Sequence, residues 1–106
     1  MIYDMRIYDL KPGAVPEYMA AVKEIALPVR QQYGVKLAGF YYTEVGVLNR
    51  VVHIWAYRDM AHLEQARQAS SQDPRWVKEF LPRVRPLIVR QEDHLVRAAD
   101  FSPQPA

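Results

Sequence analysis

The stretch KLAGFYYTE (residues 36–44), with VGVLN (45–49) and RVVHIWAY (50–57) behind it, decides the fold. Two runs rich in aromatic and β-branched side chains, joined through Gly46 and Asn49, read as a β-hairpin. Pairing Gly39 with Trp55 and Tyr41 with His53 puts Leu37, Gly39, Tyr41, Thr43, His53, Trp55 and Tyr57 on one face. Ala38, Phe40, Tyr42, Val52, Ile54 and Ala56 then take the other. In that register the Trp55 ring covers Gly39, a residue with no side chain of its own. A slip of one residue would invert the sorting.

Working outward, Ile2 to Asp9 alternates with a period of two and stops at Lys11-Pro12-Gly13, which predicts a first strand. Val15, Tyr18, Met19, Val22, Ile25, Ala26 and Val29 recur at helical spacing, so a helix is expected from about residue 15 to residue 33. Pro16 suits its first turn and Gly34 its C-terminal cap. Pro28 cannot donate to the carbonyl of Glu24, so a kink or break is expected after Leu27. Beyond the hairpin, Asp59 caps a short helix carrying Met60, Leu63 and Ala66, with His62 on a solvated segment. Asp73-Pro74 opens a second helix with Trp76, Val77, Phe80, Leu81 and Val84, closed by Pro82 and Pro86. Leu87 to Val96 reads as the last strand.

The order β-α-β-β-α-β is the α+β, ferredoxin-like arrangement, a four-stranded antiparallel sheet with its helices on one face. Tyr3, Met5, Ile7, Phe40, Tyr42, Val52, Ile54, Leu87 and Val89 are expected on the helix side. The far side, with Ile2, Tyr8, Leu37, Tyr41, Trp55, Tyr57 and Ile88, is too aromatic to meet water alone, so a homodimer through the sheet face is expected. The chain has 106 residues, 50% hydrophobic, enough for one domain over residues 1–99 with a C-terminal tail over 100–106. It has no cysteine, which excludes disulfides and thiolate chemistry. The formal charge of +2 comes with basic residues interleaved with acids and core positions, so no nucleic-acid surface is expected. Asp4, Arg6 and Asp9 do not suit a signal peptide, so none is expected, and no apolar run approaches the length of a membrane span; a cytoplasmic protein is expected.

The run Asp4-Met5-Arg6-Ile7-Tyr8-Asp9-Leu10-Lys11-Pro12-Gly13 resembles the opening motif of the NIPSNAP family. The likeness continues in order through Leu27-Pro28-Val29-Arg30, Lys36-Leu37-Ala38-Gly39-Phe40, Glu44-Val45-Gly46, Leu48-Asn49 and Val51-Val52-His53-Ile54-Trp55-Ala56-Tyr57. It extends over Asp73-Pro74-Arg75-Trp76, Val84-Arg85-Pro86-Leu87 and Phe101-Ser102-Pro103, essentially the whole chain. Asp4 departs from the pattern, since the family more often has glutamate there. The resemblance implies the dimeric α+β barrel superfamily, whose paired sheets enclose a cavity and whose fold also serves cofactor-free monooxygenases, haem-degrading proteins, lactone isomerases and ligand sensors. The fold alone chooses no reaction.

The candidate catalytic residues are His53, as a group moving a proton near neutral pH, and Arg6, as the holder of a carboxylate or enolate. Tyr8, Tyr41, Trp55, Tyr57 and Arg90 are the candidate ligand contacts. The competing structural reading pairs Arg6 with Asp4 or Glu92 and makes His53 a hydrogen-bonded residue of a packed interface. No metal-ligand spacing joins His53, His62 and His94, and a haem on His53 or His94 is a minor alternative, so no metal or cofactor is expected. No nucleophile elbow or phosphate loop occurs. Two functions stay open. One is a small enzyme of cofactor-independent oxygenase or isomerase type acting on an aromatic or carbonyl compound; the other is a non-catalytic binding or structural module.

Overall fold

A computed structural model describes residues 1–103; of the expected tail, residues 104–106 lie outside the described residues. Four antiparallel strands, β1 (Ile2–Leu10), β2 (Lys36–Tyr42), β3 (Arg50–Tyr57) and β4 (Ile88–Val96), form one sheet in the order β2-β3-β1-β4. Between β1 and β2 run α1 (Val15–Ala21), a π-helical stretch (Val22–Ala26) and α2 (Leu27–Gln32). Between β3 and β4 run α3 (Met60–Gln72), a second π-helical stretch (Arg75–Phe80), α4 (Leu81–Val84) and a 3₁₀ turn (Arg85–Leu87). This is the ferredoxin-like α+β fold.

Each π-helical stretch ends immediately before a proline-bearing turn. The Leu27 N–H reaches the Val22 carbonyl and the Leu81 N–H reaches the Trp76 carbonyl, each five residues back. Pro28 and Pro82 supply no donor to the ladder, and the widened turns before them let the helix run on. Of the kink or break expected after Leu27, the break does not occur, and Pro82 lies inside α4 instead of ending the helix. At the start of α3 the Asp59 carboxylate accepts from the His62 N–H at 2.8 Å, as its capping role predicts. His62 itself is buried, against expectation: Nδ1 accepts from the Arg58 N–H and Nε2 lies 2.8 Å from the Tyr33 carbonyl. Its ring also packs edge-on against Tyr57.

The hairpin register differs from the sequence expectation. Leu37 opposes Trp55, a bulge follows, and then Gly39 opposes Ile54 and Phe40 opposes His53. The inserted residue puts Phe40 on the same face as His53, their rings stacked with centroids 4.9 Å apart. Gly39 is covered by Tyr41 of its own strand, not by Trp55; a Cβ there would lie 2.6 Å from the Tyr41 hydroxyl.

Along β1 and β3 the faces are inverted as well, while Phe40 keeps the expected helix side and Tyr41 the expected far side. The helix side carries Ile2, Asp4, Arg6 and Tyr8 of β1 beside Tyr57, Trp55, His53 and Val51 of β3. Tyr3, Met5, Ile7, Val52 and Ile54 lie on the opposite, uncovered face with Tyr41. Residues 97–103 turn back beside that face, closed by a bond from the Ser102 N–H to the Ala99 carbonyl.

The register has a direct check in a chain without cysteine. Tyr42→Cys with Val51→Cys is expected to close a disulfide under mild oxidation, because these residues are directly opposed. Tyr42→Cys with Val52→Cys, the pair required by the alternative register, is expected to keep both thiols free on titration.

Candidate functional site

Tyr18, Val22, Ala26 and Arg30 follow one another at intervals of four along the first helical segment, and all four line a cavity of about 410 Å³ between helices and sheet. Trp76, Phe80 and Val84 line it from the second segment, and the two π-helical stretches pack against each other. Arg6, Tyr8, His53 and Trp55 supply the sheet side, and Ile88, Arg90 and Gln91 the side of edge strand β4. The volume falls in the range of small-molecule sites.

His53 is fixed at both ring nitrogens. The indole N–H of Trp55 can only donate, so at 2.7 Å it requires Nδ1 as acceptor. The neutral ring then carries its proton on Nε2, 3.4 Å from the Tyr18 hydroxyl. Burial, followed by the positive charges of Arg30 and Arg6, pushes the His53 pKa down to about 3. The imidazole is therefore neutral at physiological pH, where the sequence suggested a group titrating near neutrality. Burial likewise raises the Tyr18 phenol far above its ordinary value, so Tyr18 is a neutral hydroxyl.

Arg6 and Arg30 both carry charge into this space with unequal support. Arg6 donates through Nε to Asp4 at 2.8 Å and through Nη1 to the Tyr8 hydroxyl at 2.6 Å. Tyr8 and Asp4 outweigh the effect of burial and raise the Arg6 pKa. Arg30 donates through Nη1 to the Tyr57 hydroxyl at 3.0 Å, and its guanidinium carbon lies 4.4 Å from the centre of the Trp55 ring and 5.0 Å from that of Trp76. Among the described residues no carboxylate pairs with it, and its buried Nε has no hydrogen-bond partner. Burial lowers its pKa and Arg6 adds to that. An unpaired buried cation costs several kcal/mol; a desolvated indole face returns about 2 kcal/mol.

Behind Arg6, Asp4 is wholly buried and shares its neighbourhood with Asp93 of β4 and Arg67 of α3. Burial and a hydrogen bond to Asp4 raise the Asp93 pKa to about 6. Burial also acts to raise that of Asp4, but the bond from Asp93 and the charges of Arg6 and Arg67 hold it below the usual range. A proton on Asp93 thus faces a carboxylate on Asp4.

Of the residues singled out from sequence, Arg6, Tyr8, His53, Trp55 and Arg90 come together around the cavity. Arg90 sits at the exposed rim, 3.3 Å from Glu92. Tyr41 does not join them, because the register places it on the opposite face. Tyr57 does not line the cavity either; it is buried beneath Arg30 and orients it. Tyr18, Arg30 and Trp76 were missed as site residues. The interval 18-22-26-30 held the signal, since it carries an arginine onto a stripe otherwise destined for burial.

A ferredoxin-like sheet with a polar-floored cavity under its helices defines a class of small α+β proteins. Residues 3–103 match the model of the NIPSNAP family, and the chain belongs to that family. Protein NipSnap homolog 3A of Pongo abelii is 33% identical over 96 residues, covering 90% of this chain and 38% of the relative's own length. The chain thus spans well under half of that curated relative. A NIPSNAP family protein of Agrobacterium tumefaciens superimposes with a TM-score of 0.90 at 36% identity, over 97% of this chain and 98% of the other. An antibiotic biosynthesis monooxygenase shares the fold with a TM-score of 0.70 at 15% identity, over 93% of this chain and 99% of its own. No helix among the described residues is long and apolar enough to cross a membrane.

The His53 environment predicts acid sensitivity. The unfolded imidazole binds a proton near pH 6.5 and the folded one only near 3, so the stabilisation is full above 6.5 and is lost as pH falls through that window. From pH 7.5 to 5 the expected loss is about 2 kcal/mol. Asp93 works in the opposite sense: its raised pKa stabilises below 3.8 and is lost as pH rises through 6. Urea unfolding of wild type and His53→Asn at several pH values separates the two, with the variant lacking the loss assigned to His53.

Proposed function

We propose that the protein binds a small aromatic or carbonyl compound in the cavity between its helices and sheet, and that it works there as an enzyme of cofactor-independent oxygenase or isomerase type. The observation that carries this reading is the lining itself. Trp55, Trp76, Tyr8, Tyr18 and Phe80 offer flat apolar walls, while Arg6, Arg30 and His53 bring polar groups to the same space. A neutral imidazole donating from Nε2 can polarise a carbonyl or hold a developing oxyanion, a part that an uncharged ring performs well. Arg6 fixes the Tyr8 hydroxyl from its acceptor side, which leaves the phenolic proton for a ligand. The named monooxygenase shares the fold, which by itself chooses no reaction, so the reading rests on the lining.

The proposal includes a homodimer. The uncovered face presents Met5, Ile7, Val52 and Ile54, half-buried, beside exposed Tyr41 and the returning tail, where Phe101 is 88% exposed. A second copy laid over it would bury an apolar surface of the kind that standard interfaces of roughly 800 Å² per partner use. The pocket lies on the other side of the sheet, so each protomer keeps its own.

2-Naphthol is the probe for the pocket. It is expected to bind with one site per chain and to change the fluorescence of Trp55 and Trp76, while Ala26→Phe, which fills the cavity from the π-helical stretch, removes that binding. Equal binding by wild type and variant, or none by wild type, contradicts the reading. For the dimer, sedimentation is expected to show Ile54→Lys as a folded monomer at concentrations where the wild type is dimeric.

A further inference from the structure

We infer that the cavity ligand is an anion with a flat apolar body, and that Arg30 is the residue that anchors its charge. The inference rests on the small-molecule reading above and adds the charge of the ligand and its counter-ion. Among the described residues four arginines line the cavity, Arg6, Arg30, Arg85 and Arg90, and no aspartate or glutamate does. Two of the four are already answered by carboxylates, Arg6 by Asp4 and Arg90 by Glu92. Arg30 is different in kind. It bonds a neutral phenol at Nη1, lies against two indoles, and leaves Nε buried without a partner.

The two inner cations also act on each other. Arg6 makes the charged form of Arg30 less favourable, and both arginines make the charged form of His53 less favourable. Positive charge thus bears on two groups, Arg30 and His53, and the carboxylate that offsets part of it, Asp4, stands behind the lining and already pairs with Arg6. A carboxylate, enolate or phenolate placed against Arg30 removes that imbalance, and the guanidinium offers paired donors of the geometry such groups accept. Trp55 and Trp76 lie against the guanidinium and Tyr57 takes Nη1, which leaves Nη2 for the anion, with Nε beside it unpartnered. The same indoles, with Tyr8 and Tyr18, provide the surface for an aromatic body.

The test compares 2-naphthoate with 2-naphthamide, which match in shape and differ in charge, by calorimetry on wild type, Arg30→Met and Arg30→Lys. Wild type is expected to prefer the acid at least tenfold. Arg30→Met is expected to lose that preference while keeping its affinity for the amide, and Arg30→Lys to keep part of it. Equal binding of acid and amide by wild type overturns the inference and leaves the small-molecule reading standing. An undiminished preference in Arg30→Met overturns the assignment to Arg30. Binding of neither probe overturns the inference together with the reading beneath it. Should Arg30→Met fail to fold, the wild-type comparison and Arg30→Lys still decide between acid and amide.

Discussion

A charge held between a sheet and its helices has to be met by protein groups, because water does not reach it freely. Arg6 is met by Asp4 and Asp93, and both carboxyl groups in turn by Arg67, so a cluster of opposed charges ties β1, β4 and α3 together. Arg30 is met by a phenol and two indoles, which hold a cation without neutralising it. The neutral state of His53, the positive character of the cavity and the placement of aromatic walls around it all follow from this difference.

Much of the fold was legible in the sequence. The strands, the capping aspartates Asp59 and Asp73 and the ferredoxin-like order all follow from periodicity and turn residues. What failed was the side of the sheet. Along β1, Tyr3, Met5 and Ile7 form the more apolar parity, and the usual rule sends such a row to the core. Here the core row is Ile2, Asp4, Arg6 and Tyr8, because the floor of the site is built into it. A strand whose buried row contains an ion pair misleads any rule that sorts by hydropathy. The bulge before Gly39 exchanges the faces of everything beyond it, so on β2 it cancels the inversion: Phe40 takes the expected helix side and Tyr41 the expected far side, but each with other neighbours than the register predicts.

The site was half legible. Arg6, Tyr8, His53 and Trp55 were found as a group because pairing within the sheet keeps them on one face whichever side that face takes. Tyr41 was included only through the mistaken register, and Tyr57 through its parity with Trp55. Arg30 and Tyr18 come from a helix, where sequence patterning predicts burial but not which buried residue faces a void. The π-helical stretches widen the helix where it borders that void, and no periodicity of 3.6 announces them.

The state of His53 reports most directly on this arrangement, since it senses Trp55, Tyr18 and both inner arginines at once. Nitrogen-15 correlation spectra of the imidazole side chains across pH 5 to 8 measure it residue by residue. The account predicts that His53 keeps an Nε2-protonated, neutral ring with an unprotonated Nδ1 throughout that range. A ring that charges with a midpoint near 6.5, or one carrying its proton on Nδ1, would contradict it.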